Sequence, residues 1–324
     1  MLTKLNSKKK KSIPTKLLGK GILLFLSLNI FFAACTSGVI QRDYQGKRPR
    51  AEERKYFSGV KKKIALLPFF NESPFESEDL EINATEELRL ELTKSGEFII
   101  DPSSAKLFGT SKEIYVGGGL KLVQLTRQAK IAGINFIVFG RVIDARVREK
   151  SDEIGIVRKT KSYTESKVEV RVFDVNAGKE IYTETLNGYA DDSTYRFFAS
   201  DREDYLSYRR ELLRYAVRVG IRKSIPKIIE LASKLDWVGR VAKIIGSKVY
   251  LNAGRESGIN IGDILKIITE GAEIYDPETG ALIGMSKGDM KGTIEIVDYF
   301  GTDGAIAILH SGGQVLEGDF VQLY

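Results

Sequence analysis

The sequence predicts a two-domain α+β chain: a mixed α/β sheet domain followed by a small, glycine-rich all-β domain of barrel-like build. Three observations predict it. Strand and helix patterns alternate between residues 61 and 140, the order that builds a layered sheet with parallel strands. Helical periodicity resumes over about 203–235 and then stops. From Trp237 onward short apolar runs are separated by glycine turns, and fifteen of the 31 glycines lie in these last 88 residues, which suits a small barrel or sandwich.

Each element has its own signal. Lys63-Ile64-Ala65-Leu66-Leu67-Pro68-Phe69 is a continuous apolar run, as expected of a strand buried on both faces. Leu80, Ala84, Leu88 and Leu92 recur every four residues on one helical face, and Gly96 closes that helix. Phe98-Ile99-Ile100-Asp101 reads as a second strand, Leu122, Leu125, Ala129 and Ala132 as a helix closed by Gly133, and Asn135 to Gly140 as a third strand. Val168, Val170 and Val172 alternate with Glu169 and Arg171, a half-exposed strand. The turn Asp174 to Lys179 returns it as Glu180 to Tyr189, an edge hairpin. The stretch from about Glu203 to Leu235 reads as one long helix broken or kinked at Pro226. The expected strands of the second domain are Val238 to Ile245, Lys248 to Asn252, Asp263 to Thr269, Thr293 to Phe300, Ala305 to His310 and Asp319 to Tyr324, with Gly262-Asp263 and Gly318-Asp319 as capped turns.

Charge is confined to one end. The net charge is +7, but residues 1–34 hold seven lysines and no acid, and the remaining 43 basic residues are matched by 43 acidic ones. The body carries no electrostatic footprint for nucleic acid. One cysteine and one histidine, His310, exclude an internal disulfide and a cysteine cluster, and leave His-based triads and two-His metal sites unsupported. Val116-Gly117-Gly118-Gly119-Leu120 lacks the Gly-Lys-Ser/Thr and the strand context of a phosphate loop and reads as a flexible helix start. Asp276-Pro277-Glu278-Thr279-Gly280 lacks alternating calcium ligands and reads as a β-turn. Tyr189 to Phe198 mixes acids and aromatics and reads as a loop that packs its own rings. No acid pair or nucleophile–base set stands out, so neither an enzyme nor a cofactor or metal site is expected.

The lysine-rich start leads into the apolar run Gly21 to Phe32, then Ala33-Ala34-Cys35. A basic segment, a short apolar segment and small residues are the parts of a secretory signal peptide. Phe32-Ala33-Ala34-Cys35 resembles a bacterial lipobox, with Phe32 where Leu is common. That resemblance implies cleavage between Ala34 and Cys35, diacylation of Cys35 and a lipid anchor in the cell envelope. Thr36 after the cysteine leans towards a periplasm-facing outer-membrane location. The other reading of the segment is an uncleaved N-terminal anchor. The expected division is thus a signal peptide over 1–34, a tether over 35–60, the α/β domain over 61–235 and the β domain over 237–324.

Ile64 to Phe69, Ala132 to Gly140 and the closing long helix resemble the domain shared by the N-terminal part of TolB, the curli secretion lipoprotein CsgG and penicillin-binding-protein activators. Gly239-Arg240-Val241, Val249-Tyr250-Leu251-Asn252, Gly258 to Asp263, Asp276 to Gly280 and Glu317 to Val321 resemble the C-terminal domain of the flagellar assembly protein T family. The second resemblance implies a non-enzymatic component assembled around the flagellar basal body, with envelope or basal-body proteins as partners and a ring of identical subunits as its assembly. The first leaves open a regulator of a peptidoglycan synthase, or another envelope adaptor, and a curli-type secretion channel. Such a channel needs strands with a lipid-facing apolar side, and the insertion Ala145 to Ser166 is charged on both alternating faces.

Overall fold

The computed structural model describes residues 59–75, 78–151, 160–191, 205–280 and 282–324. Residues 56–324 form one compact unit, which holds two layers of architecture in series. The signal segment, Cys35 and most of the tether lie outside the described residues.

The first domain is a six-stranded mixed sheet. β1 (Lys62–Leu66) is flanked in parallel by β3 (Phe98–Ile100) and β4 (Phe136–Ser151). β1 stops at Pro68, which has no N–H to give a ladder. The chain then rejoins the same neighbour as β2 (Phe70–Asn71), parallel to the next residues of β4. β5 (Thr160–Asp174) and β6 (Lys179–Asp191) follow antiparallel, giving the order β3-β1-β4-β5-β6.

Side-chain alternation sends Ile64, Leu66, Val138, Val168, Val170 and Val172 to one face of the sheet. That face is covered by α1 (Glu78–Ser95), α4 (Tyr205–Arg222) and α5 (Ile225–Ser233). Ala65, Leu67, Ile137, Phe139 and Phe173 face the other way, under α2 (Ser104–Phe108) and α3 (Ser111–Ile131). Leu80, Ala84, Leu88 and Leu92 are all fully buried, as their spacing requires.

One expectation about the helices changes. The glycine run is not a helix start: α3 begins seven residues before Gly118, after Thr110, whose N–H donates to Glu113 Oε1. Gly118 sits inside it at φ 58°, ψ −149°, a kink that only glycine takes without strain. The break expected at Pro226 is present: the stretch is two helices, and Pro226 falls in the first turn of α5. Through the insertion Ala145 to Ser166, β4 and β5 remain paired out to Ser151 and Thr160. Its open face carries Arg146, Arg148, Glu165 and Lys167, with Arg148 and Glu165 paired at 3.2 Å. Its other face is small and polar, with Ala145, Thr164 and Ser166 buried. Among the described residues this hairpin has no apolar lipid-facing row.

The second domain is a closed six-stranded barrel in which every pairing is antiparallel. Its strands are β7 (Val238–Ile245), β8 (Lys248–Leu251), β9 (Ile264–Ile268), β12 (Met290–Phe300), β13 (Gly304–Gly312) and β14 (Phe320–Leu323), ordered β12-β13-β8-β7-β14-β9. Inward residues such as Val241, Leu251, Ile267, Ile294, Ile296 and Val321 fill the interior. The turns before β9 and β14 use Gly262 and Gly318 at positive φ. Asp263 Oδ2 accepts from Asn260 N, and Asp319 Oδ2 accepts from Leu316 N. Between β9 and β12 stands a two-stranded arm that sequence patterning misses, β10 (Glu273–Tyr275) and β11 (Leu282–Met285). Its tip is the expected turn, with Asp276 Oδ1 accepting from Glu278 N and Thr279 N.

Candidate functional site: a cleft between sheet and barrel

The two domains are stitched by specific hydrogen bonds. Asn135, fully buried, accepts from Lys63 N at its Oδ1 and donates from its Nδ2 to Val238 O. Gly133 has φ 71°, and a Cβ there would lie 1.9 Å from Asn252 Nδ2. Lys61 N donates to Ser257 O at 2.7 Å, and Val60 packs on the barrel core, so the chain reaches β1 by way of the barrel.

Beside this seam lies a cleft of about 500 Å³, which shares Lys130, Glu270, Gly271 and Met285 with a smaller space of about 120 Å³. One wall is the C-terminal half of α3 with Arg127 and Lys130, the other is the arm with Glu270, Glu273 and Met285, and Arg240 of β7 lies at the floor. Lys130 is buried, and its ammonium donates to Glu270 Oε1 at 2.8 Å and touches Met285 Sδ at 3.9 Å. Arg127 stands 3.9 Å from Glu273. The Arg240 guanidinium lies over the Phe320 ring and pairs with no carboxylate among the described residues. The cleft therefore joins charges of both signs to a thioether. It can hold polar or charged groups of a partner, and among its described lining residues no nucleophile has a base beside it.

A second concentration of ionisable groups is on the face of the sheet that α3 covers. Glu169 is buried. Its Oε1 accepts from Tyr115 Oη at 2.8 Å and Arg171 Nε at 2.6 Å, and its Oε2 from Arg141 Nη2 at 2.8 Å and Nε at 3.1 Å. Both guanidiniums also lie against the Tyr115 ring, at 4.6 and 4.9 Å. Burial pushes the Glu169 carboxyl up, but the hydrogen bonds from Arg141, Tyr115 and Arg171 outweigh it and hold the group below the ordinary glutamate range. Burial, then the bond to Glu169, raises the Tyr115 phenol. A carboxylate whose lone pairs are all engaged is a clamp rather than a base.

The residues that the sequence singles out are dispersed. Ala34 and Cys35 lie outside the described residues, as do 192–198 of the aromatic–acidic stretch, whose first part is the end of β6. His310 is exposed on β13, with Nδ1 3.9 Å from Glu295. Among the described residues no group of three or more His, Cys, Asp or Glu side chains could hold a metal ion, and no helix is long and apolar enough to cross a membrane. Arg127, Lys130 and Arg240 were not legible as a site. Only the packing of the two domains brings Lys130 to Glu270, Arg127 to Glu273 and Arg240 to the same cleft, and in the sequence each alone reads as an ordinary surface charge.

Fold and cleft define a two-domain α+β protein, a mixed α/β sheet joined to a closed antiparallel barrel. No family model matches the chain. No curated protein matches it either. Solved structures do. The hypothetical protein CT253 from Chlamydia trachomatis is 18% identical, covering 53% of this chain and 96% of its own, with a TM-score of 0.33. Lipoprotein GNA1162 from Neisseria meningitidis is 12% identical, over 54% of this chain and 99% of its own, at 0.27. The LpoB C-terminal domain from Escherichia coli is 14% identical, over 40% and 83%, at 0.26. Likeness at this level fixes no function.

Proposed function

We propose that this chain is a non-enzymatic, lipid-anchored adaptor of the bacterial cell envelope, acting as an assembly component around the flagellar basal body. The observation that carries the reading is the order of parts: a lysine-rich apolar leader ending in Phe32-Ala33-Ala34-Cys35, a polar tether, and a folded body joined at Val60 beside the barrel. Several acyl chains on Cys35 would hold such a body on a bilayer, where a single chain would not. At about 3.4 Å per residue, residues 36–59 span at most on the order of 80 Å, which bounds the reach. The flagellar part rests on the words shared with the flagellar assembly family. They fall on β7, β8, the turn before β9, the arm tip and the start of β14, the positions that set a barrel's register and corners. The α/β domain takes its place as a TolB- or CsgG-like platform, and the cleft beside Lys130 and Arg240 receives a charged segment of a partner.

Two measurements test this separately. Cells fed a labelled fatty acid should incorporate it into the chain, and Cys35→Ser should abolish incorporation; persistent labelling of the variant overturns the anchor. Electron cryotomography of cells lacking the gene, averaged on flagellar motors, should show a lost periplasmic density together with lost swimming. Unchanged motors overturn the flagellar assignment and leave an envelope adaptor such as a synthase regulator.

A further inference from the structure

The outer surface of a barrel in water is expected to be polar, since its inward residues already supply the core. One flank departs from that pattern. β8, β13 and β12 are neighbours, and the strict inward burial of Val249, Leu251, Ala305, Ala307, Ile294 and Ile296 fixes which residues point outward between them. Two cross-strand rows result. In the first, Lys243 of β7 opposes Tyr250, Tyr250 opposes Ile306, and Ile306 opposes Asp298. In the second, Ile245 opposes Lys248, Lys248 opposes Ile308, and Ile308 opposes Glu295. Phe300 extends the apolar centre, its ring edge-on to Tyr250 at 5.2 Å. Ile245 and Ile308 are 58% and 38% exposed, so the apolar part faces solvent.

The first row runs from Lys243, itself paired with Glu317 at 2.8 Å, through Tyr250 and Ile306 to Asp298, and the second, inside Ile245, runs from Lys248 through Ile308 to Glu295, so each passes from a basic side across apolar side chains to an acidic side. A surface of this kind is complementary to itself in one orientation. Turning a second copy over about an axis lying in the contact plane and parallel to β13 sets Ile306 and Ile308 of one copy on those of the other. The same turn places the Lys248 side of each over the Glu295 side of its mate. The alternative axis, perpendicular to the strands, would stack lysine on lysine. Lys248 has no ion-pair partner among the described residues, and Glu295 has only His310, at 3.9 Å.

We propose that this flank is a self-association surface on which a second copy of the chain docks two-fold about an axis parallel to β13. The contact is isologous and closes at two copies. It goes beyond the adaptor reading and does not depend on the anchor. β13 lies diametrically across the six-strand ring from β14, so pairing leaves the cleft between sheet and barrel free for a different partner. The apolar area is modest, which sets a weak, reversible dimer rather than an obligate one.

The test is sedimentation of the full chain in mild detergent across a concentration series. The wild type should pass from monomer to dimer. Lys248→Glu and Glu295→Lys should each weaken the dimer ~tenfold or more, because two like-charged contacts appear per dimer. The variant carrying both reversals should regain wild-type association. An equimolar mixture of the two single variants should form the mixed dimer in preference to either homodimer, since only the mixed pair restores both contacts. Both side chains are exterior, so thermal unfolding should be unchanged and serves as the folding control. A wild type that stays monomeric at every concentration overturns the proposal. So does association indifferent to the charge reversals, or a mixture with no preference.

Discussion

Glu169 is a carboxylate that burial discourages from ionising and four donor atoms compel to ionise. Removing one donor should be tolerated and removing the acceptor should not. Tyr115→Phe is expected to cost about 1.5 kcal/mol, the low end for one hydrogen bond to a charged group after exchange with water, since two guanidiniums still hold the carboxylate. Glu169→Gln is expected to cost about 2 kcal/mol, discounted because Arg141 and Arg171 are partly solvated. Urea unfolding measures both. The pH dependence has a definite sign. A carboxylate held below its unfolded value adds stability above the ordinary glutamate range and loses it as pH falls through the folded value. Stability should therefore drop below about pH 4.5, the ordinary glutamate value, and Glu169→Gln should flatten part of that drop. Asp174 works the other way, since burial raises its carboxyl, so the comparison of wild type with Glu169→Gln, not the raw profile, carries the result. Tyr115 and Glu169 are 54 residues apart, and nothing near either marks the other in the sequence. A period of two predicts Glu169 on an exposed side of β5, and the structure corrects this: Glu169 is buried, because Tyr115 of a helix distant in sequence reaches over it.

At the scale of elements, legibility followed the size of the buried side chains. α1 could be read from four residues because the face it buries is large and aliphatic. The outer half of the β4–β5 hairpin could not, because its covered face uses Ala145, Thr164 and Ser166 instead. Those small residues let α4 lie close to the sheet. A Cβ on Gly188 would come within 1.8 Å of Ala216 O and 2.6 Å of Ser166 Oγ. Gly188→Ala should therefore push α4 off β6 and cost about 3 kcal/mol. Gly284→Ala on the arm, with nothing nearer than 3.7 Å, should stay within about 0.5 kcal/mol. Thermal melts of the two variants separate close packing from the general cost of replacing glycine. The arm was missed for a related reason. Both of its strands are short and β10 is wholly exposed, so no apolar alternation announces it, and only the Asp276–Gly280 turn was visible.

For the whole molecule, six barrel strands could be listed from glycine spacing, but their circular order could not. β14 closes the ring between β7 and β9, a pairing over some eighty residues that no local pattern encodes. The seam between the domains was equally hidden, since Asn135 looks like a strand-edge residue until its amide is seen bridging Lys63 and Val238. That bridge should couple the two domains. Asn135→Ala strands a buried N–H and a C=O, at a cost of about 1–3 kcal/mol for each unpaired group. The single thermal transition expected of the intact chain should then split, the barrel and the sheet domain melting apart by calorimetry. A single, merely lowered transition would show that the remaining contacts, Lys130 with Glu270 among them, keep the domains cooperative.

The way the chain enters the sheet also bears on traction. β1 is held on both sides by parallel neighbours, and the residue before it is tied to Ser257. A pull on the preceding segment, directed along β1, would load the bonds to β3 and β4 together, in shear, instead of peeling them one at a time. It would also draw on the barrel through Lys61 before it reached the sheet. A body hung from a moving surface by that segment would be gripped along a strand paired on both sides, and the load would be shared by both domains from the outset.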